Sequence, residues 1–297
     1  MQTQCFPLPL DSTSAGCRVP SGMPPVFDAH VHILPSGLFK AIWSWFDRYA
    51  WPIRYRPAAE TVLPFLHNRG ICGFIALPYA HKPGIARELN QTVYRLCSEV
   101  PFAYGFATVF PGEPDVEAIL DEAFALGLQG VKLHPHVQGY APSSPEVDRI
   151  CDLCRSHSRS LLIHAGREPK TPLFDYPADP YALCAAESLE LLLRNHPGLR
   201  LCVPHLGADE YMAYRRLLDR FDTLWLDTAM AISGFLPGLE PPGLESYPPE
   251  RILYGSDFPN IPYPWDTELK ILQKSRLSEE ALYRITYANA LEFLNLA

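Results

Sequence analysis

No stretch of this 297-residue sequence reaches the ~18 consecutive apolar residues that a bilayer-spanning helix requires. The opening residues 1–25 have neither a basic start nor a continuous apolar core. They read as a flexible or surface-draped lead-in rather than a secretory signal. Positive charge is not in excess: 25 Lys and Arg stand against 33 Asp and Glu, for a net charge of -8. That balance excludes nucleic acid and anionic membranes as expected partners. The eight cysteines lack the spacing of a disulfide framework, which favours reduced thiols and a cytoplasmic protein. Cys151 and Cys154 form a C-x-x-C pair followed by His157 in a helix-like segment, read as core residues. The glycine-rich turn of a dinucleotide-binding sheet is missing, as are a linker and any sequence repeat beyond the strand–helix unit.

What is present is alternation. Short apolar runs are followed by amphipathic stretches, in order: Phe27–Ile33, Ile71–Pro78, Phe102–Val109, Leu128–His134, Ser160–His164, Leu199–His205, Thr223–Asp227 and Arg251–Asp257. Almost wholly apolar strands fit a parallel sheet covered on both faces. Eight such units over residues 26–297 predict a single-domain α/β protein with a closed (β/α)₈ TIM barrel. An aromatic insertion after the first strand, Leu38–Tyr55, contains Trp43, Trp45, Phe46, Trp51 and Tyr55. It is read as a lid, a subunit contact (a homodimer is compatible) or a small helix on the barrel rim. Residues 231–250 read as a Pro/Gly-rich loop, and Ser278-Glu279-Glu280 as a helix start.

In a barrel the C-terminal strand ends converge on one mouth and carry the chemistry. Here those ends hold His30 and His32, Lys132 and His134, His164, His205, and Asp257. In Asp28-Ala29-His30-Val31-His32, strand alternation places Asp28, His30 and His32 on one face. Imidazoles with one carboxylate suit Zn²⁺, and also Mn²⁺, Fe²⁺ or Co²⁺. Such an ion lowers the pKa of bound water and polarises a carbonyl. Asp257 is suited both to hold the metal and to move a proton. His205 serves as a further ligand or polarises the substrate carbonyl. Lys132 shares the interior face with His134, where an ammonium is costly. Either it pairs with an anion such as Asp257, or its neutral amine is carboxylated by CO₂ and bridges two metals.

Five segments together resemble the amidohydrolase superfamily: Asp28-Ala29-His30-Val31-His32, Gly130-Val131-Lys132-Leu133-His134-Pro135, His164-Ala165-Gly166, His205-Leu206-Gly207 and Tyr254-Gly255-Ser256-Asp257-Phe258-Pro259. The narrower resemblance is to the branch that includes aminocarboxymuconate-semialdehyde decarboxylase and TIM-barrel metal-dependent hydrolases. Asn289-Ala290 is similar to the closing Asn-Ala of that branch. The resemblance implies metal at the barrel mouth, with His30, His32, His164 and Asp257 as ligands and His205 as a ligand or catalytic histidine. Lys132 falls where binuclear members carry a carboxylated lysine, so one or two ions are open. His134 and His136 are placed in the strand 4 loop as substrate contacts. Arg54, Arg56 and Arg167 lie in loops suited to gripping a substrate carboxylate.

The leading expectation is therefore hydrolysis of a C–O or C–N bond (lactone, ester or amide) in a small, carboxylated molecule by metal-activated water. The alternative is non-oxidative decarboxylation, or hydration, of a small aromatic or dienoic acid on the same site. A third, non-catalytic barrel would show gaps among the ligands, and none is found.

Overall fold

The computed structural model describes residues 14–168, 178–235 and 243–296. Its strands are β1 (Val26–His32), β2 (Ile71–Leu77), β3 (Ala103–Gly105), β4 (Gly130–Leu133), β5 (Ser160–Ile163), β6 (Leu201–Val203), β7 (Leu224–Asp227) and β8 (Ile252–Leu253). All pair in parallel, as β1-β2-β3 and as β4-β5-β6-β7-β8. Single parallel bridges join the two sets, Ala107 to Val131 and Val31 to Phe258. The strands therefore follow one another around the ring in sequence order, as an α/β barrel requires.

Most strands are shorter than their apolar runs, β3 and β8 most of all. Beyond β8 the chain leaves the regular ladder, yet stays on β1: the Ala29 amide donates to the Tyr254 carbonyl (2.9 Å), the Asp257 amide to His30 (2.9 Å) and the His32 amide to Phe258 (2.8 Å). Beyond β3, the Ala107 amide donates to Gly130 and the Lys132 amide to Ala107. The apolar pattern thus marks the path of the wall, whereas the ladder needs a regular backbone that Asp257 (φ 61°) interrupts after β8.

The core has two compartments. Phe27, Ala29, Ile75, Leu77, Phe106, Leu162, Cys202, Trp225 and Leu253 fill the interior, with Phe293 and Leu294 of the last helix packed against them. Val31, Val131, Leu133, Leu161, Ile163 and Leu226 belong to the outer layer with the helices. Lys132 lies between two outer residues and is wholly buried, as alternation predicts. Cys151 and Cys154 are buried free thiols in the helix Pro145–Ser156, and burial pushes both pKa values up.

Residues 36–49 of the aromatic insertion form a helix, seated on the segment after β8. The Trp43 indole donates to the Asn260 side chain (3.1 Å) and the Trp51 indole to the Asn260 carbonyl (2.9 Å). Residues 14–25 of the lead-in lie along the outer wall: the Trp265 indole donates to the Gly16 carbonyl, and the Val19 amide to Arg69. Positions 236–242 of the loop expected over 231–250 lie outside the described residues, and its described part holds a short 3-10 turn, Leu244–Ser246. Between β5 and β6 lie two helices, Pro180–Leu183 and Ala186–Asn195. Ser278 caps the helix Glu279–Tyr283, accepting from the Ala281 amide. Asn289 of the closing Asn-Ala donates to the carbonyls of Pro249 and Ile252, both at 2.7 Å, tying the last helix to β8. No helix among the described residues is long and apolar enough to cross a membrane.

Candidate metal centre

The regular alternation expected of β1 is broken. A register shift between Asp28 and Val31 marks a bulge, which re-aims side chains at a barrel rim. Asp28 consequently departs from the face it was expected to share with His30 and His32. Its carboxylate accepts from the Ser256 amide (3.0 Å) and the His30 amide (3.1 Å). Burial and the nearby Asp227 charge raise its pKa to about 7 against those hydrogen bonds. The two histidines both turn to Asp257: His32 Nε2 lies 2.9 Å and His30 Nε2 3.4 Å from its Oδ1. One ligand atom from each of the three residues falls within 4.8 Å of the others.

Two observations test whether these residues fit a divalent ion. His30 Nε2 is buried with no hydrogen-bond partner among the described residues, although buried polar atoms are rarely left so. His30 is also kept neutral: burial first, then the Lys132 charge, hold its pKa well below the usual value. A neutral imidazole is the form that ligates. Burial would raise the Asp257 carboxyl, but the hydrogen bond from His32 and the imidazoles packed around it prevail and hold it low. Two neutral-capable nitrogens and a carboxylate oxygen suit Zn²⁺, Mn²⁺ and similar ions. The residues fit.

The sequence reading passed over Asp227, at the end of β7. Its Oδ2 holds His30 Nδ1 at 2.8 Å, while its Oδ1 accepts from the His205 and Ala229 amides, both at 3.0 Å. A carboxylate behind a metal-binding histidine sets its tautomer and orientation. The available signal was the strand end itself, Leu224-Trp225-Leu226-Asp227. Tyr79, also unremarked, places its ring between His32 and His134, with centroids at 5.6 and 5.0 Å.

His205 sits beside the cluster, its ring 5.5 Å from that of His30. The Ala229 carbonyl accepts from its Nδ1 at 2.7 Å. The backbone there is unusual: His205, Leu206 and Ala208 all have positive φ, near 55°. Such angles are costly for residues with a Cβ and concentrate at functional sites. The glycines beside them explain the two His-x-Gly motifs. A Cβ on Gly166 would meet the Gly207 carbonyl oxygen at 2.4 Å, and one on Gly207 would meet the Tyr214 ring at 2.1 Å. The loops after β5 and β6 therefore touch backbone to backbone.

His164 takes a different place from the other expected ligands. Its Nε2 lies 2.5 Å from Glu168 Oε1, and its ring stacks on His134 at 4.1 Å and lies 4.7 Å from that of His205. Lys132 Nζ is buried without a partner among the described residues. Burial pushes its pKa down to about 8, against the pull of Asp227 and Asp257. His136 Nε2 lies 3.0 Å from the Gly166 carbonyl. Gln138 anchors this loop by donating to the Ala80 and Val109 carbonyls and accepting from the His134 amide. Of the arginines expected to grip a carboxylate, Arg167 pairs with Glu210 and Glu187, Arg56 with Asp47, and exposed Arg54 lies over the Tyr55 ring.

Comparison with known proteins agrees with this architecture. The profile of a family described as amidohydrolase matches residues 27–296. By sequence the chain is similar to 6-methylsalicylic acid decarboxylase of Penicillium expansum, 25% identical over 248 residues, 70% of this chain and 74% of that one. A 6-methylsalicylic acid decarboxylase of Aspergillus aculeatus is 26% identical over 234 residues, 63% of this chain and 67% of that one. In fold it is similar to 5-carboxyvanillate decarboxylase of Novosphingobium aromaticivorans, solved with manganese and 4-hydroxy-3-methoxy-5-nitrobenzoic acid: TM-score 0.65, 15% identity, 96% of this chain and 100% of that one. It is likewise similar to 2,6-dihydroxybenzoate decarboxylase from Rhizobium, with TM-score 0.67, 19% identity, 92% of this chain and 99% of that one. The two relatives found by sequence overturn the leading expectation of C–O or C–N hydrolysis, because both are decarboxylases. The error has a physical origin: one fold and one ligand set serve both reactions, so strand-end residues do not distinguish them. With a family profile spanning nearly its whole length and a His–His–Asp cluster at the barrel mouth, the chain belongs to the amidohydrolase family of metal-dependent enzymes.

Proposed function

We propose that this protein catalyses the metal-dependent, non-oxidative decarboxylation of a small hydroxylated aromatic acid. The observation that carries the reading is the buried His30–His32–Asp257 cluster in a chain whose curated relatives decarboxylate an aromatic acid. We place the ion on those three residues. Zn²⁺ and Mn²⁺ are the candidates, because nitrogen and carboxylate donors accept both. When bound, the ion supplies positive charge that orients the substrate's carboxylate or a neighbouring hydroxyl oxygen.

The remaining chemistry belongs to the chain. A ring hydroxyl ortho or para to the carboxylate pushes electron density onto the carbon that bears it. That carbon takes a proton, the C–C bond breaks, its electron pair restores the aromatic ring, and CO₂ leaves. The proton needs a carrier at the mouth, and Asp257 has the position: only 7% exposed and in contact with His32. His205, with Nδ1 committed to Ala229, keeps its other nitrogen for the substrate or for returning a proton to Asp257. Tyr79 and His134 set two aromatic rings edge to face beside His32.

The test is CO₂ release by metal-loaded protein from 6-methylsalicylate, 2,6-dihydroxybenzoate and 5-carboxyvanillate. The expected outcome is CO₂ and the matching phenol from at least one, lost at least 10³-fold in Asp257→Asn. Stoichiometrically metallated protein that releases no CO₂ from any hydroxylated aromatic acid would refute the reading.

A further inference from the structure

At the end of the barrel opposite the metal centre, where the strands begin, a cleft of about 520 Å³ opens between the helix Pro145–Ser156 and the segments entering β5 and β6. That volume is in the range of small-molecule pockets. Three arginines line it: Arg155 in the last turn of the helix, Arg159 immediately before β5 and Arg200 immediately before β6. In a chain of net charge -8 this is a local excess of positive charge. We propose that the cleft binds the phosphate group of a small molecule, held by Arg155, Arg159 and Arg200.

The two arginines that precede the strands have neutral acceptors in place of carboxylates. Arg200 Nε donates to the Phe293 carbonyl (3.1 Å) and to Ser160 Oγ (3.3 Å), Nη2 donates to the Ser158 carbonyl (3.0 Å), and Nη1 lies 3.5 Å from Asn295 Oδ1. Arg159 Nη1 donates to Gln129 Oε1 (2.7 Å), while its Nε is buried with no acceptor among the described residues. Neither guanidinium pairs with a carboxylate among the described residues, and burial lowers the pKa of Arg200. The carboxylate in the lining, Asp152, is already engaged by Arg155 (3.7 Å) and His196 (3.3 Å). The neutral bonds hold the guanidinium planes in position in advance, which lowers the ordering cost of binding. The N–H groups left over suit the oxygens of a phosphate, which arginine grips in pairs. Arg200 also joins the cleft to the helix that plugs the barrel: the Phe293 carbonyl that it holds accepts from Ser160 Oγ as well (2.5 Å). A filled cleft should therefore tighten the junction of β5, β6 and the last helix and raise the melting temperature.

The proposal does not depend on the reaction proposed above, and its test reads binding. Full-length, metal-loaded protein is titrated calorimetrically with inorganic phosphate and, separately, with glycerol 3-phosphate, the ionic strength being held with chloride. At least one of the two should bind, one molecule per chain, and raise the thermal transition. Arg159→Gln should weaken that binding about tenfold or more while its ligand-free transition stays native. Binding of both anions would mean that the phosphate group suffices; binding of the ester alone would mean that the cleft also takes its organic part. Failure of both to bind would overturn the proposal. So would an Arg159→Gln protein that binds as tightly as the wild type, since the anion would then sit elsewhere, such as on the metal. Should Arg159→Gln fail to fold, Arg155→Gln, at an exposed position, carries the same test.

Discussion

Asp227 acts through both carboxylate oxygens, one on the His30 ring and the other on the amides of His205 and Ala229. Asp227→Asn keeps the shape but removes the charge that sets the His30 tautomer. The expected outcome is a 10–100-fold weaker Zn²⁺ affinity with the fold retained, measured by competition with a chromophoric chelator; unchanged affinity would rule out the orienting role. Lys132 gives a pH signature. Its folded pKa, near 8, lies below its ordinary 10.5. Between those values the unfolded chain binds more protons, so stability rises with pH across that window. The gain is on the order of 3 kcal/mol. It should appear in the metal-free wild type by urea denaturation from pH 7.5 to 10.5 and be missing from Lys132→Met. A flat difference curve would mean the amine is not buried as an unpaired cation. At this scale the legible residues were those that end apolar runs with an unusual side chain: His30, His32, His134, His164, His205, Asp257 and Lys132. Asp227 ends such a run too, but aspartate before a turn is common enough to pass unnoticed. Glu168 was illegible, because its role depends on how a loop bends back onto His164.

At the scale of elements, the strands were readable because fully covered parallel strands must be apolar. Their ends were less so. The bulge in β1 and the irregular wall beyond β8 arise from pairing partners distant in sequence, which a local pattern does not encode. The glycines of His164-Ala165-Gly166 and His205-Leu206-Gly207 were visible, but the reason for them was not. Each is needed because the other loop or Tyr214 occupies the space of a Cβ. Gly166→Ala forces a φ of 99° on a residue with a Cβ and drives it into the Gly207 carbonyl. We expect a loss of about 2–4 kcal/mol in urea denaturation, with weakened metal binding because both flanking histidines move. A loss below about 1 kcal/mol would show that the loops are not jammed together. The aromatic insertion was ambiguous between lid and rim helix because the same residues serve either, and the contacts of Trp43 and Trp51 with Asn260 favour the rim.

Taken whole, the molecule is a ring whose closing seam, β8 against β1, is also its metal centre. Binding there should register as stability of the entire domain, since the unfolded chain does not hold the three ligands together. At one hundred times the dissociation constant an ion contributes about 2.7 kcal/mol. For a chain of this size that is about 5 °C of melting temperature. Chelation should lower the calorimetric transition by that amount, and stoichiometric Zn²⁺ or Mn²⁺ should restore it; an unshifted transition would place the ion elsewhere. The barrel was legible from eight strand–helix units, whereas the reaction was not, because chemistry resides in pocket contacts that fold and ligands leave undetermined. The seam also has a consequence for biosynthesis. His30 and His32 leave the ribosome with the first strand, and Asp257 only with the last. A nascent chain therefore carries two idle imidazoles until the eighth strand has followed the first seven, and the three ligands can close on one ion only after every strand of the ring has been made.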